Sequence, residues 1–120
     1  MNDSRENLIE QKSRQFAIRI VNLYKYLLKE KKEFVLSKQL VRCGTSIGAN
    51  IKEGIRAQSR PDFLSKMNIA LKEAAETEYW LDLLQATDFL TRPQYESLQP
   101  DIEEILRILC KIVHTTRDTE

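Results

Sequence analysis

The sequence predicts an all-α protein, an antiparallel up-down-up-down four-helix bundle, on three observations. Apolar residues recur at spacings of three and four in four separate stretches, and no stretch alternates as a strand does. Only three Gly and three Pro interrupt 120 residues, 31% of which are charged. The breaks between stretches are short, and short connections favour antiparallel neighbours. A chain of this length forms a real core without disulfides or metal, so one bundle domain over residues 1–120 is expected.

The first helix is expected over about residues 4–32. Asp3, with Glu6 three residues on, resembles a capping pair, and Ile9, Phe16, Ile20, Leu23 and Leu27 mark one face. The run Lys29-Glu30-Lys31-Lys32-Glu33 then reads as a solvated end and turn. The second helix spans about 36–56, with a seam of Leu36, Leu40, Cys43, Ile47, Asn50 and Gly54. Gly44 and Gly48 lie beside that seam. An interior glycine weakens a helix by roughly 1 kcal/mol relative to alanine, so close approach of another helix is the natural compensation.

The third helix, about 60–87, opens with Ser59 as cap, Pro61 in the first turn and Asp62 at the positive end. Phe63, Met67, Ala70, Ala74, Thr77, Leu81 and Leu84 then hold a heptad rhythm. The small Ala70 and Ala74 match the glycines of the second helix and predict that helices two and three pack at short range. Thr91-Arg92-Pro93 opens the fourth helix, about 92–114, whose seam is Tyr95, Leu98, Ile102, Ile105, Leu109 and Ile112. Pro100 should kink it or split off its first turn. The polar stretch from Thr115 onward is expected to fray.

No apolar run approaches the ~20 residues of a membrane span, and the N-terminus lacks the apolar core of a signal peptide. A cytoplasmic protein without a membrane partner is expected, with Cys43 and Cys110 as two buried, reduced thiols. Net charge is +1, yet residues 1–72 carry 15 Lys+Arg against 7 Asp+Glu, and residues 73–120 carry 4 against 11. Such a split has two readings. The halves attract each other, within one bundle or between subunits, or the basic half offers a surface to nucleic acid. The second reading draws on Lys25, Lys29, Lys31, Lys32, Lys38, Arg42, Lys52, Arg56 and Arg60, which would hold RNA or DNA phosphates with little sequence preference.

Catalytic chemistry finds little support. A di-iron carboxylate centre needs Glu-x-x-His on two helices, whereas the single histidine, His114, is preceded at that spacing by Lys111. No Cys-x-x-Cys pair, nucleophile elbow or phosphate loop is present, so no metal, cofactor, small-molecule substrate or enzymatic activity is expected. Ser46, Asn50 and Glu53 on the second helix, with Glu73 and Thr77 on the third, read as a buried polar network that fixes helix register.

Gln39-Leu40-Val41-Arg42, Ser46-Ile47-Gly48-Ala49-Asn50-Ile51 and Glu53-Gly54 together resemble the signature of the small bacterial four-helix-bundle proteins also called 23S-rRNA intervening-sequence proteins. Asp62-Phe63, Ala70-Leu71-Lys72-Glu73-Ala74 and Glu76-Thr77-Glu78-Tyr79-Trp80-Leu81 fit the same family, and the similarity runs over about residues 10–115. The resemblance implies an antiparallel bundle, assembly into a ring-like homopentamer and no enzymatic activity. It also implies kinship with the accessory variability protein of diversity-generating retroelements, a nucleic-acid-binding pentamer. From that strongly basic relative this chain departs in its near-neutral charge.

Overall fold

A computed structural model describes residues 3–118 and folds them into four helices: α1 (Asp3–Lys29), α2 (Leu36–Ile55), α3 (Arg60–Ala86) and α4 (Arg92–Asp118). The expected capping role of Asp3 concerns a side chain outside the described ones. α1 stops three residues short of its expected end. Lys32 takes a left-handed backbone conformation (φ 55°), and the Glu33 N–H turns back to the Leu27 carbonyl at 3.1 Å.

Both ends of α3 and the start of α4 are among the helix ends fixed by specific hydrogen bonds. Ser59 caps α3 as the sequence suggests, its hydroxyl accepting from the Asp62 N–H at 3.1 Å. α3 closes with the Phe89 N–H on the Leu84 carbonyl and the Asp88 N–H on the Gln85 carbonyl, a Schellman pattern that places Asp88 at φ 70°. Thr91 and Gln94 cap α4 reciprocally: the Thr91 N–H donates to Gln94 Oε1 at 2.9 Å, and the Gln94 N–H donates to Thr91 Oγ1 at 3.2 Å.

α4 departs from expectation twice. Pro100 lies inside one continuous helix and does not split off a first turn. It sits on the exposed side, so the Glu96 carbonyl that its missing N–H leaves unpaired faces solvent. The helix also continues past His114 to Asp118, because Ile112, Val113 and Thr116 are buried against the bundle and hold its last turns.

Ion pairs fix the direction of each neighbour. Lys12 meets Glu104 and Arg19 meets Asp101, so α1 and α4 run antiparallel. Glu10 meets Lys52, while Gly48 lies against Ser13 and Gly44 against Ile20, so α1 and α2 do too. Arg42–Glu76 and Glu53–Lys66 set α2 against α3 in the same way. Among the described residues each helix touches two neighbours in the cyclic order α1, α2, α3, α4, and the diagonal pairs do not approach. The result is a rod of 47 × 21 × 18 Å.

The core follows the seams closely: Ile9, Phe16, Ile20 and Leu27 from α1, Met67, Ala70, Ala74, Leu81 and Leu84 from α3, and Leu98 to Ile112 from α4. α2 differs at one position. Ile51, fully buried, takes the place expected of Asn50, which is half-buried at the edge. At 3.6 residues per turn Ile47 is followed on its face by either residue 50 or 51, and burying the larger apolar side chain decides between them. The α2 glycines also serve a different neighbour from the one expected. A Cβ on Gly44 would stand 2.8 Å from Ile20 Cγ2, and one on Gly48 would meet Ser13, so both admit α1; only Gly54 lies against α3. The α2–α3 contact is nonetheless the most extensive of the four.

Candidate nucleic-acid interface

The nine basic residues singled out in the sequence do not form one surface. Lys25 and Lys29 stand on the exposed side of the last turns of α1, Lys31 and Lys32 in the connection, and Lys38 in the first turn of α2. These five gather at one end of the rod. Arg56 and Arg60 sit at the opposite end, and the 18 residues from Lys38 to Arg56 correspond to about 27 Å of helix. Arg42 and Lys52 lie between and are engaged. Arg42 Nη2 is 2.6 Å from Glu76 Oε2, Arg42 Nη1 is 3.6 Å from Glu73 Oε1, and Lys52 Nζ is 3.1 Å from Glu10 Oε2. None of the five end lysines has a carboxylate within ion-pair distance among the described residues.

Two residues that sequence reasoning overlooked complete this end. Phe34 and Val35 are exposed by 59% and 71%, an apolar pair set among the lysines. They stand out because the carboxylate just before them, Glu33, is turned inward and nearly buried. Its Oε2 accepts from the N–H of Val35 and of Leu36 at 3.0 Å, and its Oε1 from the Ser37 N–H at 2.6 Å. Ser37 answers by donating its hydroxyl to the Glu33 carbonyl at 2.7 Å. Burial alone would raise the Glu33 pKa, but the N–H groups of Leu36, Ser37 and Val35 outweigh it and hold the carboxyl below its ordinary value. The cap therefore stays charged and fixes the loop that presents Phe34. The sequence signal was an acid four residues before Ser37, hidden inside a charge run.

The diagonal corner of the same end is acidic. Asp82 and Asp88 are exposed there, and Gln99 Nε2 bridges Glu78 and Glu103 at 3.2 and 3.1 Å. Burial and then the carboxylates of Asp82, Glu78 and Glu103 raise the Tyr95 pKa. One end of the rod thus carries a basic α1–α2 corner opposite an acidic α3–α4 corner.

The five polar residues expected to form one buried network fall into separate pairs. Asn50 donates to the Ser46 carbonyl and hydroxyl at 2.9 and 3.0 Å within α2. Thr77 is buried and donates to the Glu73 carbonyl at 2.7 Å, with Cys43 Sγ 3.2 Å away. Glu53 is exposed and pairs with Lys66. Asn50 lies off the core seam, so its amide is satisfied along its own helix and does not cross to α3.

The two thiols also divide: Cys43 is buried, whereas Cys110 is exposed on α4. Burial raises the Cys43 pKa, and the Thr77 hydroxyl offsets that only in part. His114 is exposed, with Nδ1 3.0 Å from Arg117 Nη2. Among the described residues no His, Cys, Asp and Glu side chains cluster in a way that could hold a metal ion. No described helix is long and apolar enough to cross a membrane.

Comparison with known proteins agrees with this architecture. A sequence model described as 23S rRNA-intervening sequence protein matches residues 5–111. The chain superposes with a TM-score of 0.90 on a crystal structure of a protein of unknown function, from the S23 ribosomal protein family of Bacteroides thetaiotaomicron VPI-5482. The two are 59% identical over 92% of this chain and 98% of that one. No curated protein matches. The four-helix architecture and a match over nearly all the described residues lead to one conclusion: the chain belongs to the 23S rRNA-intervening sequence protein family.

Proposed function

We propose that the protein is a non-enzymatic cytoplasmic scaffold that works as a closed homo-oligomer, with five subunits as the family resemblance implies. One observation carries this reading. Large apolar side chains are exposed on the two helices that face away from each other, Leu8 and Ile18 on α1 and Ile69 and Tyr79 on α3. Within each pair the residues are ten apart, about 15 Å along the axis. Two different apolar surfaces of equal span on different helices suit a head-to-tail contact, in which each subunit offers one face to the other face of its neighbour; such a contact closes into a ring when the rotation between subunits closes. The non-enzymatic part of the reading rests on the inert setting of Cys43 and the solvent-side pairing of His114.

Sedimentation velocity tests the assembly. The protein should run as one oligomer through the micromolar range, and Ile18→Lys or Tyr79→Lys alone should lower its mass while leaving helical content intact. A wild-type monomer at all these concentrations would refute the ring.

A second reading, nucleic-acid binding, is favoured by the five end lysines without carboxylate partners. They lie beyond the α1 and α3 patches, so a ring would repeat them around one rim. Replacing Lys29, Lys31 and Lys32 with Glu should weaken RNA or DNA binding and flatten its salt dependence. Affinity unchanged by the triple variant would remove this end from consideration.

A further inference from the structure

We propose that the α1–α2 corner binds single-stranded nucleic acid, RNA or DNA, with Phe34 stacking on a base and Lys29, Lys31, Lys32 and Lys38 holding the flanking phosphates. The inference rests on the nucleic-acid reading above and narrows it to a strand whose bases are free. Phe34 is 59% exposed, about as much as Tyr79 on α3, but unlike Tyr79 it stands among ammonium groups that have no carboxylate partner among the described residues. Aromatic rings flanked by cations are the recurring means of binding unpaired strands, since every base offers a face to stack on.

The geometry separates this ligand from two others. In a duplex the bases are already stacked, so only phosphates could meet the lysines and Phe34 would have no role. A flat anionic bilayer would touch the whole end of the rod, including Asp82 and Asp88 on the opposite corner, and would be repelled there. A flexible strand can follow the basic corner alone. The Glu33 cap, by pinning the N–H groups of Val35, Leu36 and Ser37, holds the loop in place before the strand arrives. Less ordering is then needed on binding.

Fluorescence anisotropy on the full protein, with labelled oligouridylate, oligothymidylate and a duplex of mixed sequence, tests this from low to physiological salt. Single strands should bind about tenfold or more tighter than the duplex. Phe34→Ala should weaken single-strand binding by roughly tenfold without altering the salt slope, and Phe34→Trp should retain it. Circular dichroism of both variants confirms that the bundle is intact. If the triple lysine variant weakens binding while strandedness and Phe34→Ala make no difference, this inference is overturned and the broader nucleic-acid reading stands. Binding to no oligonucleotide at low salt overturns both. Association with vesicles rich in anionic lipid, in place of single strands, also overturns it.

Discussion

Glu33 is a nearly buried carboxylate whose contacts, among the described residues, are with backbone N–H groups and not with a cation. It satisfies three N–H groups at the start of α2, where Val35 at the cap position makes no side-chain hydrogen bond of its own. Replacing a cap residue with alanine typically weakens a protein by about 0.5–2 kcal/mol. Three charge-assisted bonds from a nearly buried carboxylate place Glu33→Ala at the upper end of that range, measurable by urea denaturation at neutral pH. The effect should depend on pH with a definite sign. The folded pKa lies below the ordinary 4.5, so the stabilisation is complete above about 4.5 and is lost as pH falls through the folded value. The gap between wild type and Glu33→Ala should therefore narrow on acidification; a constant gap would show that charge is not what the cap supplies. The thiols give a second residue-scale test. Under native conditions a thiol reagent should modify Cys110 quickly, whereas Cys43, buried and raised in pKa, should react only on unfolding. Two fast thiols would contradict the packing of α2 on α3. Neither residue was legible in advance. Glu33 sits among Lys29, Glu30, Lys31 and Lys32, where composition suggests solvent; Cys110 follows the seam residue Leu109 by one position, about 100° round the helix, and the expectation of burial came from its residue type against that seam.

The elements themselves were legible wherever large apolar residues held the heptad rhythm. α3 is the clearest case: Met67, Ala70, Ala74, Thr77, Leu81 and Leu84 are all buried. α2 was harder, because small residues set spacing without saying which neighbour they admit. Gly44 and Gly48 look equivalent in sequence, yet the structure assigns them unequal roles. A Cβ at Gly44 would press against Ile20 at 2.8, 3.1 and 3.4 Å, and Ile20 is β-branched, fully buried and unable to swing aside. At Gly48 the nearest atom is Ser13 Oγ at 3.4 Å, an ordinary contact. Gly44→Ala should thus destabilise by about 1–3 kcal/mol through overpacking. Gly48→Ala should be neutral or stabilising by up to about 1 kcal/mol through helix propensity. Thermal denaturation of the two variants decides the matter, and equal effects would mean that α1 does not approach α2 as described. Pro100 carries a related lesson. Sequence alone shows a helix breaker, but its exposed position lets solvent meet the carbonyl it orphans, and the apolar seam on the other side keeps α4 whole.

At the scale of the whole molecule the four seams are unequal. α2–α3 is the most extensive contact, α1–α2 and α3–α4 are intermediate, and α1–α4 is the sparsest. Across that last seam the polar links include exposed or partly exposed pairs, Lys12–Glu104 and Arg19–Asp101, with Arg19 also donating to the Ser97 carbonyl and hydroxyl and Arg5 to the Thr115 hydroxyl. Pairs of this kind contribute about 0–1 kcal/mol and weaken with salt. The bundle is thus a tight α2–α3 pair with α1 and α4 packed on either side and joined more loosely to each other. Sequence periodicity could show that four faces are apolar, but it could not rank the seams, because the ranking depends on side chains such as Gly44, Gly54 and Ala70 meeting partners on other helices. Regions with few buried contacts open at lower free energy, so amide hydrogen exchange should resolve this order. Core amides of α2 and α3 should exchange slowest, those of α1 and α4 facing their common seam fastest among the core positions. Raising salt should speed exchange along the α1–α4 seam more than along α2–α3, which has exposed pairs of its own, Arg42–Glu76 and Glu53–Lys66, but rests on the most extensive contact in the bundle. Uniform exchange across all four helices would instead mean that the bundle opens as one unit, with the seams equal in free energy despite their unequal contact.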